Sequence, residues 1–114
     1  IVGSVDSQSG AAGGTITVRG WTADPDSTES IKAQFYVDGV GKASVRADTV
    51  RTDLASLLGA NNTAHGFQTT LSGITPGKHD VCVFGINVSA GANTLLNCGD
   101  VTVPASAPVG SLET

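Results

Sequence analysis

Residues 30–39, which read SIKAQFYVDG, alternate between apolar and polar side chains along most of their length. Successive side chains of a strand point to opposite faces of a sheet, so this period of two predicts a strand with one buried and one solvated face. The buried face would carry Ile31, Ala33, Phe35 and Val37, and the solvated face Lys32, Gln34, Tyr36 and Asp38. Fifteen glycines, four prolines and no methionine agree with a turn-rich β protein rather than a helical bundle.

Seven or eight such segments between turn signals predict an all-β sandwich. Strands are expected over 2–7, 14–23, 30–39, 42–47, 66–71, 79–87 and 94–103, with Ala43 and Val45 of the fourth pointing inward. The period changes only in RTDLASLLG, where Thr52 would cap a short helix that ends at Gly59. We expect this helix to cover one edge of the sandwich with Leu54, Leu57 and Leu58.

The two cysteines, Cys82 and Cys98, lie in the last two predicted strands. If they face each other in an antiparallel hairpin, they form a disulfide that would stabilise the fold by about 3 kcal/mol. Disulfides persist in oxidising compartments, so this interpretation favours an extracellular location. The alternative is a pair of buried free thiols in a cytosolic domain. The same register would place Phe84 opposite Leu96, Ile86 opposite Thr94, and the turn at residues 90–91.

The length of 114 residues fits one domain with its own core. The final residues PVGSLET echo the initial IVGSVDS, since Val109-Gly110-Ser111 matches Val2-Gly3-Ser4 at a domain-sized spacing. We therefore predict a sandwich repeat over 1–104, with a linker and the start of a following repeat over 105–114. The alternative is a chance match of a few small residues.

The net charge of −4 leaves no basic surface for phosphates, which argues against binding to nucleic acid and to anionic membranes. No apolar run approaches the roughly 18 residues of a spanning helix, so membrane insertion is not expected. We expect a monomer that carries no cofactor and no metal ion.

Several short motifs, GWTADPD at 20–26, VDG at 37–39, RTDL at 51–54, HGF at 65–67 and GKHDVCVFGIN…TLLNC at 77–98, occur in one order along the chain. Together they resemble an immunoglobulin-like or fibronectin-III-like tandem repeat of exported actinobacterial proteins. Such repeats often accompany peptidoglycan hydrolases, other wall-active enzymes or peptidases. The resemblance implies an accessory β-sandwich outside the cell and no catalytic residue. The cysteines depart from the immunoglobulin pattern, because they would join neighbouring strands of one hairpin rather than two sheets.

Trp21, the only tryptophan, falls on the polar face of its strand if the alternation set by Ile16 and Val18 continues. A β-bulge at Gly20 would rotate the ring into the core, and this is the interpretation that we favour. The alternative is a sugar-binding platform formed by Trp21 with Tyr36.

The loop that carries Asp24, Asp26 and Glu29 could bind calcium, although turn chemistry explains an Asp-Pro-Asp-Ser sequence better. The stretch GVGKAS at 39–44 superficially resembles a phosphate-binding loop, but the first glycine and the Ser or Thr of that motif are missing. His79 and Asp80 begin a strand, and two histidines without close spacing do not predict a zinc site. The glycosylation patterns at 61–63 and 87–89 are interpreted as incidental.

Arg51, Asp53 and His65 could meet near the short helix. A histidine with an aspartate is compatible with general base catalysis, but no nucleophile motif accompanies them. We expect a structural polar cluster that holds the helix to the sandwich.

The sequence predicts a non-catalytic protein with one of three functions. The first is a spacer or presentation module that holds a neighbouring domain near the cell wall. The second is a module that binds carbohydrate or cell-wall polysaccharide through Trp21 and Tyr36. The third is an adhesion module that adds a partner strand to an open sheet edge.

Overall fold

The computed structural model describes residues 1–87 and 92–105. Its strands are β1 (Val2–Ala11), β2 (Thr15–Ala23), β3 (Lys32–Val37), β4 (Val40–Arg46), β5 (Thr49–Val50), β6 (Ala64–Leu71), β7 (Gly77–Gly85) and β8 (Thr94–Val103). They form two four-stranded antiparallel sheets with the orders β1-β2-β6-β5, here sheet A, and β4-β3-β7-β8, here sheet B. The predicted β-sandwich is confirmed, with β5 as the strand that the sequence pattern missed.

The core lies between the two sheets and contains the apolar side chains of β2 and β3 that alternation assigned to the inner faces, together with apolar side chains of β6, β7 and β8. Phe35 of sheet B meets Phe67 of sheet A edge to face, with ring centroids 5.5 Å apart. Ala43 and Val45 pack against the core as predicted. The fully or almost fully buried members include Ile16, Val18, Ala33, Phe35, Val37, Leu71, Val81, Val83, Val101 and Val103.

The predicted helix is present, but it is shorter than expected and fewer of its leucines are buried. A 3₁₀ turn at Thr52–Leu54 leads into one turn of α-helix, α1, at Ala55–Leu58. Thr52 is not the cap, because the N-cap position belongs to Arg51, which makes no side-chain capping bond. Leu54 is fully buried, whereas Leu57 is 68% exposed. A single turn cannot turn all three leucines toward the sheet edge, so that part of the prediction is wrong.

The β7–β8 hairpin confirms the cysteine pairing and corrects the register beyond it. Cys82 pairs with Cys98 and the two form the disulfide within sheet B. A bulge then shifts the ladder, so Phe84 pairs with Leu95 and not with Leu96. Leu96 packs against the core instead. The predicted pairing of Ile86 with Thr94 is also wrong, since Gly85 takes that place, and the turn at 90–91 lies outside the described residues.

One long side of the sandwich is a seam between β1 and β8. A Cβ atom at Gly3 would lie 3.0 Å from the side chain of Leu96, and one at Gly10 would lie 2.2 Å from the carbonyl oxygen of Thr102. From the first contact to the second, the residue number rises in both strands, so β1 and β8 run parallel along the seam. The start of β1 and the end of β8 therefore lie at opposite ends of the domain. No helix in the described part of the chain has the length and apolarity needed to span a membrane.

Candidate functional site

The outer face of sheet B contains a groove of about 370 Å³ that has aromatic walls. We call it the aromatic groove. Small-molecule sites in proteins have volumes of about 300–1,000 Å³, so this groove has the size of a small one. It is lined by Tyr36, Gly39, Asp80, Cys82, Phe84, Ile86 and Asn93.

Strand register brings the two rings of the groove together. Tyr36 pairs with Cys82, which places its ring diagonally opposite that of Phe84 on the next strand. Aromatic side chains can reach along such a diagonal. The two ring centroids are 5.5 Å apart and the planes cross at 78°, an edge-to-face contact. Both rings are only half-buried, so an apolar surface remains open to solvent.

Polar groups line the groove beside the rings. The Oδ2 atom of Asp80 lies 3.6 Å from Sγ of Cys82, and Asp80 makes no ion pair with the described residues. The Oδ1 atom of Asn93 accepts a hydrogen bond from the backbone N–H of Asn87 at 2.9 Å. The amide NH₂ of Asn93 can therefore donate to a ligand while the carboxylate of Asp80 accepts.

Asp80, Cys82 and Cys98 place one potential metal-ligand atom each within 4.8 Å of one another. The two sulfur atoms are bonded to each other, however, and a disulfide has no thiolate to offer a metal ion. In the oxidised protein this group is therefore not a metal centre, and two of its members, Asp80 and Cys82, line the groove.

Trp21 lies on the outer face of sheet A, half-buried, and the predicted bulge at Gly20 is wrong. Pairing with β6 continues without a break through Gly20 and Trp21, and the bulge of the β1–β2 pair lies in β1, between Val5 and Ser7. Gly20 instead provides space, since a Cβ atom there would lie 2.8 Å from the ring of Phe67. Tyr36 belongs to the other sheet, so the two rings cannot form one platform.

The side chain of Arg51 explains why Trp21 is partly covered. Gly66 pairs with Trp21 across the ladder, and a Cβ atom at Gly66 would lie 2.8 Å from Cγ and Cδ of Arg51. The stem of Arg51 therefore occupies the place of a cross-strand neighbour of Trp21. Its guanidinium group donates to both carboxylate oxygens of Asp53, at 2.7 and 3.2 Å, and also to Asp6.

We call this arrangement of Arg51, Asp6 and Asp53 the arginine clamp. It joins the bulge of β1 to the 3₁₀ turn across the face of sheet A. Hydrogen bonds from Arg51 lower the pKa of Asp53, and Asp53 and Asp6 in turn raise the pKa of Arg51. Two of the three predicted members, Arg51 and Asp53, thus form a polar cluster at the helix, and Asp6 joins them as a partner that sequence spacing could not supply.

His65 does not join the arginine clamp. It lies on the inner face of β6, fully buried, and its Nε2 atom is hydrogen-bonded to Oδ1 of Asn62. Burial lowers the pKa of His65, which favours the neutral imidazole over the charged form. The buried imidazole of His65 and the Arg51 side chain, which lies over Gly66, are on opposite faces of β6, so His65 is not a member of the polar cluster predicted with Arg51 and Asp53.

The side chain of His79 contacts Asp38 and Thr75. Its Nδ1 atom lies 2.5 Å from Oδ2 of Asp38, and its Nε2 atom lies 2.7 Å from the carbonyl oxygen of Thr75. The neighbouring Asp80 donates its backbone N–H to Asp38. The hydrogen bond with Asp38 raises the pKa of His79 and lowers that of Asp38, so each group favours the charged form of the other.

The acidic loop shows the turn chemistry that we favoured. Asp24 accepts the backbone N–H of Asp26 on its side chain and that of Ser27 on its carbonyl oxygen, both at 3.0 Å. Glu29 donates its backbone N–H to the hydroxyl of Ser27. The three carboxylates do not converge in the described structure, although the loop borders an open depression of about 700 Å³. The stretch 39–44 forms the β3–β4 turn and an edge strand, with no helix to bind phosphate.

The free edges of the two sheets bear on the adhesion hypothesis. β5 has only two residues, and β1 and β8 cover each other at the seam. β4 is the longest remaining edge, but it is interrupted by a bulge at Lys42. Bulges and basic side chains protect sheet edges from pairing with other chains. These features weigh against addition of a partner strand.

The comparisons with known proteins support the fold alone. No protein-family profile and no curated protein matches the sequence. Among solved structures, the chain is similar to the fibronectin(III)-like modules of CbhA from Clostridium thermocellum, with a TM-score of 0.57 and 12% identity. The match covers 99% of this chain and 49% of that one, so the chain spans about half the length of its structural relative.

Two further structures show the same likeness. A lytic polysaccharide monooxygenase from Jonesia denitrificans matches with a TM-score of 0.51 and 20% identity, over 83% of this chain and 57% of that one. The endo-beta-1,4-mannanase from Thermotoga petrophila matches with a TM-score of 0.51 and 16% identity, over 92% of this chain and 20% of that one. The protein is thus a β-sandwich whose fold resembles that of fibronectin(III)-like modules.

Proposed function

We propose that this domain is a non-catalytic, extracellular spacer that holds neighbouring domains of the same chain apart. The observation that carries the proposal is the parallel seam between β1 and β8, which puts the two chain ends at opposite poles of the sandwich. A chain that enters at one pole and leaves at the other extends by one domain length. Ten residues of β8 correspond to about 33 Å.

Three further features support this proposal. The Cys82–Cys98 disulfide fits an oxidising compartment outside the cytosol. The proline-containing sequence VPASAP at 103–108 has the composition of a stiff linker, and the echo of IVGSVDS in PVGSLET supports a tandem array. The structural likeness to fibronectin(III)-like modules and to parts of polysaccharide-acting enzymes is compatible with an accessory role in exported, wall-associated proteins.

Small-angle X-ray scattering of two copies joined through residues 105–108 tests the spacer role. We expect the two centres to lie at least about 35 Å apart, because each copy contributes one strand length. The matched control replaces Pro104 and Pro108 with glycine, which should broaden the distribution of distances without shortening the domains. Two copies that pack side by side as one compact particle would overturn the proposal.

A further inference from the structure

We infer that the aromatic groove of sheet B is a binding site for a neutral saccharide, with Tyr36 and Phe84 as its stacking surface. Two half-exposed rings lie here beside the carboxylate of Asp80, which makes no ion pair with the described residues. The site differs from the Trp21–Tyr36 platform considered for the sequence, because Phe84 supplies the second ring. Saccharide binding and spacing are separate properties and are tested by separate experiments.

The local sequence keeps the Tyr36 ring open to a ligand. Gly41 pairs with Tyr36 on the edge strand β4. A Cβ atom at Gly41 would lie 3.6 Å from the ring, in ordinary contact, so a side chain there would cover that flank of the ring without disturbing the backbone. With glycine at position 41, a neighbour that would shield the ring is absent.

The polar groups select the ligand class. A sugar ring has an apolar face of C–H groups that packs on aromatic rings, and hydroxyl groups that both donate and accept hydrogen bonds. The Asp80 carboxylate is an acceptor and the Asn93 amide can donate, so both are matched by hydroxyl groups. The described residues that line the groove include no lysine or arginine, and Asp80 would repel an anion. These features favour a neutral sugar over a phosphate or a uronic acid.

The disulfide fixes the geometry of the site. Cys82 lies between Asp80 and Phe84 on the outer face of β7, and its bond to Cys98 joins that strand to β8. A ligand that contacts Phe84 and Asp80 therefore meets side chains whose spacing is set by one covalently fixed strand. Such fixed spacing lowers the entropy that binding must remove.

Titration of the oxidised 114-residue chain by nuclear magnetic resonance tests this site. The probes are soluble neutral oligosaccharides of glucose, of mannose and of N-acetylglucosamine at millimolar concentration. We expect saturable shifts for at least one probe, centred on Tyr36, Phe84 and Asp80. Tyr36→Ala should weaken that binding roughly tenfold, as expected for the loss of one stacking ring.

Two variants guard against misinterpretation. Gly41→Leu should weaken binding by covering the ring while every ligand contact residue is kept, so it reports on the groove even if Tyr36→Ala does not fold. Trp21→Ala, on the opposite face, should leave the affinity unchanged. The inference is overturned if no probe gives saturable shifts, if Trp21→Ala abolishes binding, or if only tetramethylammonium ion shifts the groove residues, since that would make it a cation site.

Discussion

Different interactions stabilise the two outer faces of the sandwich. On sheet A the arginine clamp fills the space over Gly66 and partly covers Trp21. On sheet B a disulfide joins two strands directly and leaves Tyr36 and Phe84 beside an open groove. A covalent bond needs no long side chain across the surface, whereas an ion pair does. A sheet face whose strands are joined by a disulfide can therefore leave apolar surface accessible to a ligand.

The largest change in stability is expected when the disulfide of sheet B is removed. The double substitution of Cys82 and Cys98 by alanine should lower the free energy of unfolding by about 3 kcal/mol, because the closed loop no longer restricts the unfolded chain. Urea denaturation with and without reductant measures the effect. Reductant should destabilise the parent protein and leave the double variant unchanged. A loss below about 1 kcal/mol would contradict the role given to the disulfide.

The next test concerns the covered ring of sheet A. Trp21→Ala should cost about 2 kcal/mol, less than the 3–5 kcal/mol typical of a fully buried aromatic, because the ring is only half-buried. Phe35→Ala, which removes a fully buried ring, is the matched comparison and should cost more. Equal losses in thermal or urea unfolding would show that Trp21 is a core residue after all.

A smaller effect is expected from the arginine clamp itself. Arg51→Met keeps an apolar stem over Gly66 but removes the charge, and should cost about 1 kcal/mol. Lys78→Met is the control, since Lys78 and Asp100 are 70% and 63% exposed and lie 3.8 Å apart, and it should cost almost nothing. Salt near 1 M should reduce the difference between the parent protein and Arg51→Met. If salt does not change the stability difference between the parent protein and Arg51→Met, that difference comes from packing and not from charge.

The smallest effect lies at the end of sheet B, where charge depends on pH. The raised pKa of His79 means that its stabilising contribution is complete below its ordinary value of 6.5 and is lost as pH rises through the raised pKa. The lowered pKa of Asp38 means that its contribution is present above 3.8 and is lost as pH falls through the lowered pKa. The pair therefore stabilises the fold most between about pH 4 and 6.5.

His79→Gln isolates this contribution in a series of unfolding measurements across pH. The difference in stability between parent and variant should be greatest in that window and smaller at pH 8.5 and above. His65 acts in the opposite direction, because its lowered pKa costs stability as pH falls below 6.5, but it is present in both proteins and cancels. A difference that does not change with pH would show that His79 contributes only hydrogen bonds.

Sequence reasoning was most successful where a property depends on neighbours along the chain. The inner face of β3, the start and end of β8 and the pairing of the two cysteines all follow from alternation and spacing. The failures concern residues that depend on distant partners. Asp6 binds Arg51 from 45 residues away, and no local pattern links them. Phe84 was missed because its contact with Tyr36 depends on how β3 and β7 are aligned.

Side-chain direction in a strand has a fixed period of two, so the sequence alone predicts the β-sandwich, the inward side chains of β3 and the facing positions of Cys82 and Cys98. The bulges beside Asp6 and Leu96, the partial cover over Trp21 and the open groove at Tyr36 depend on tertiary contacts. Backbone hydrogen bonds are alike in many registers, so register is selected by the packing of residues that lie far apart in the chain. The candidate binding site depends on that packing and could not be read from the chain alone.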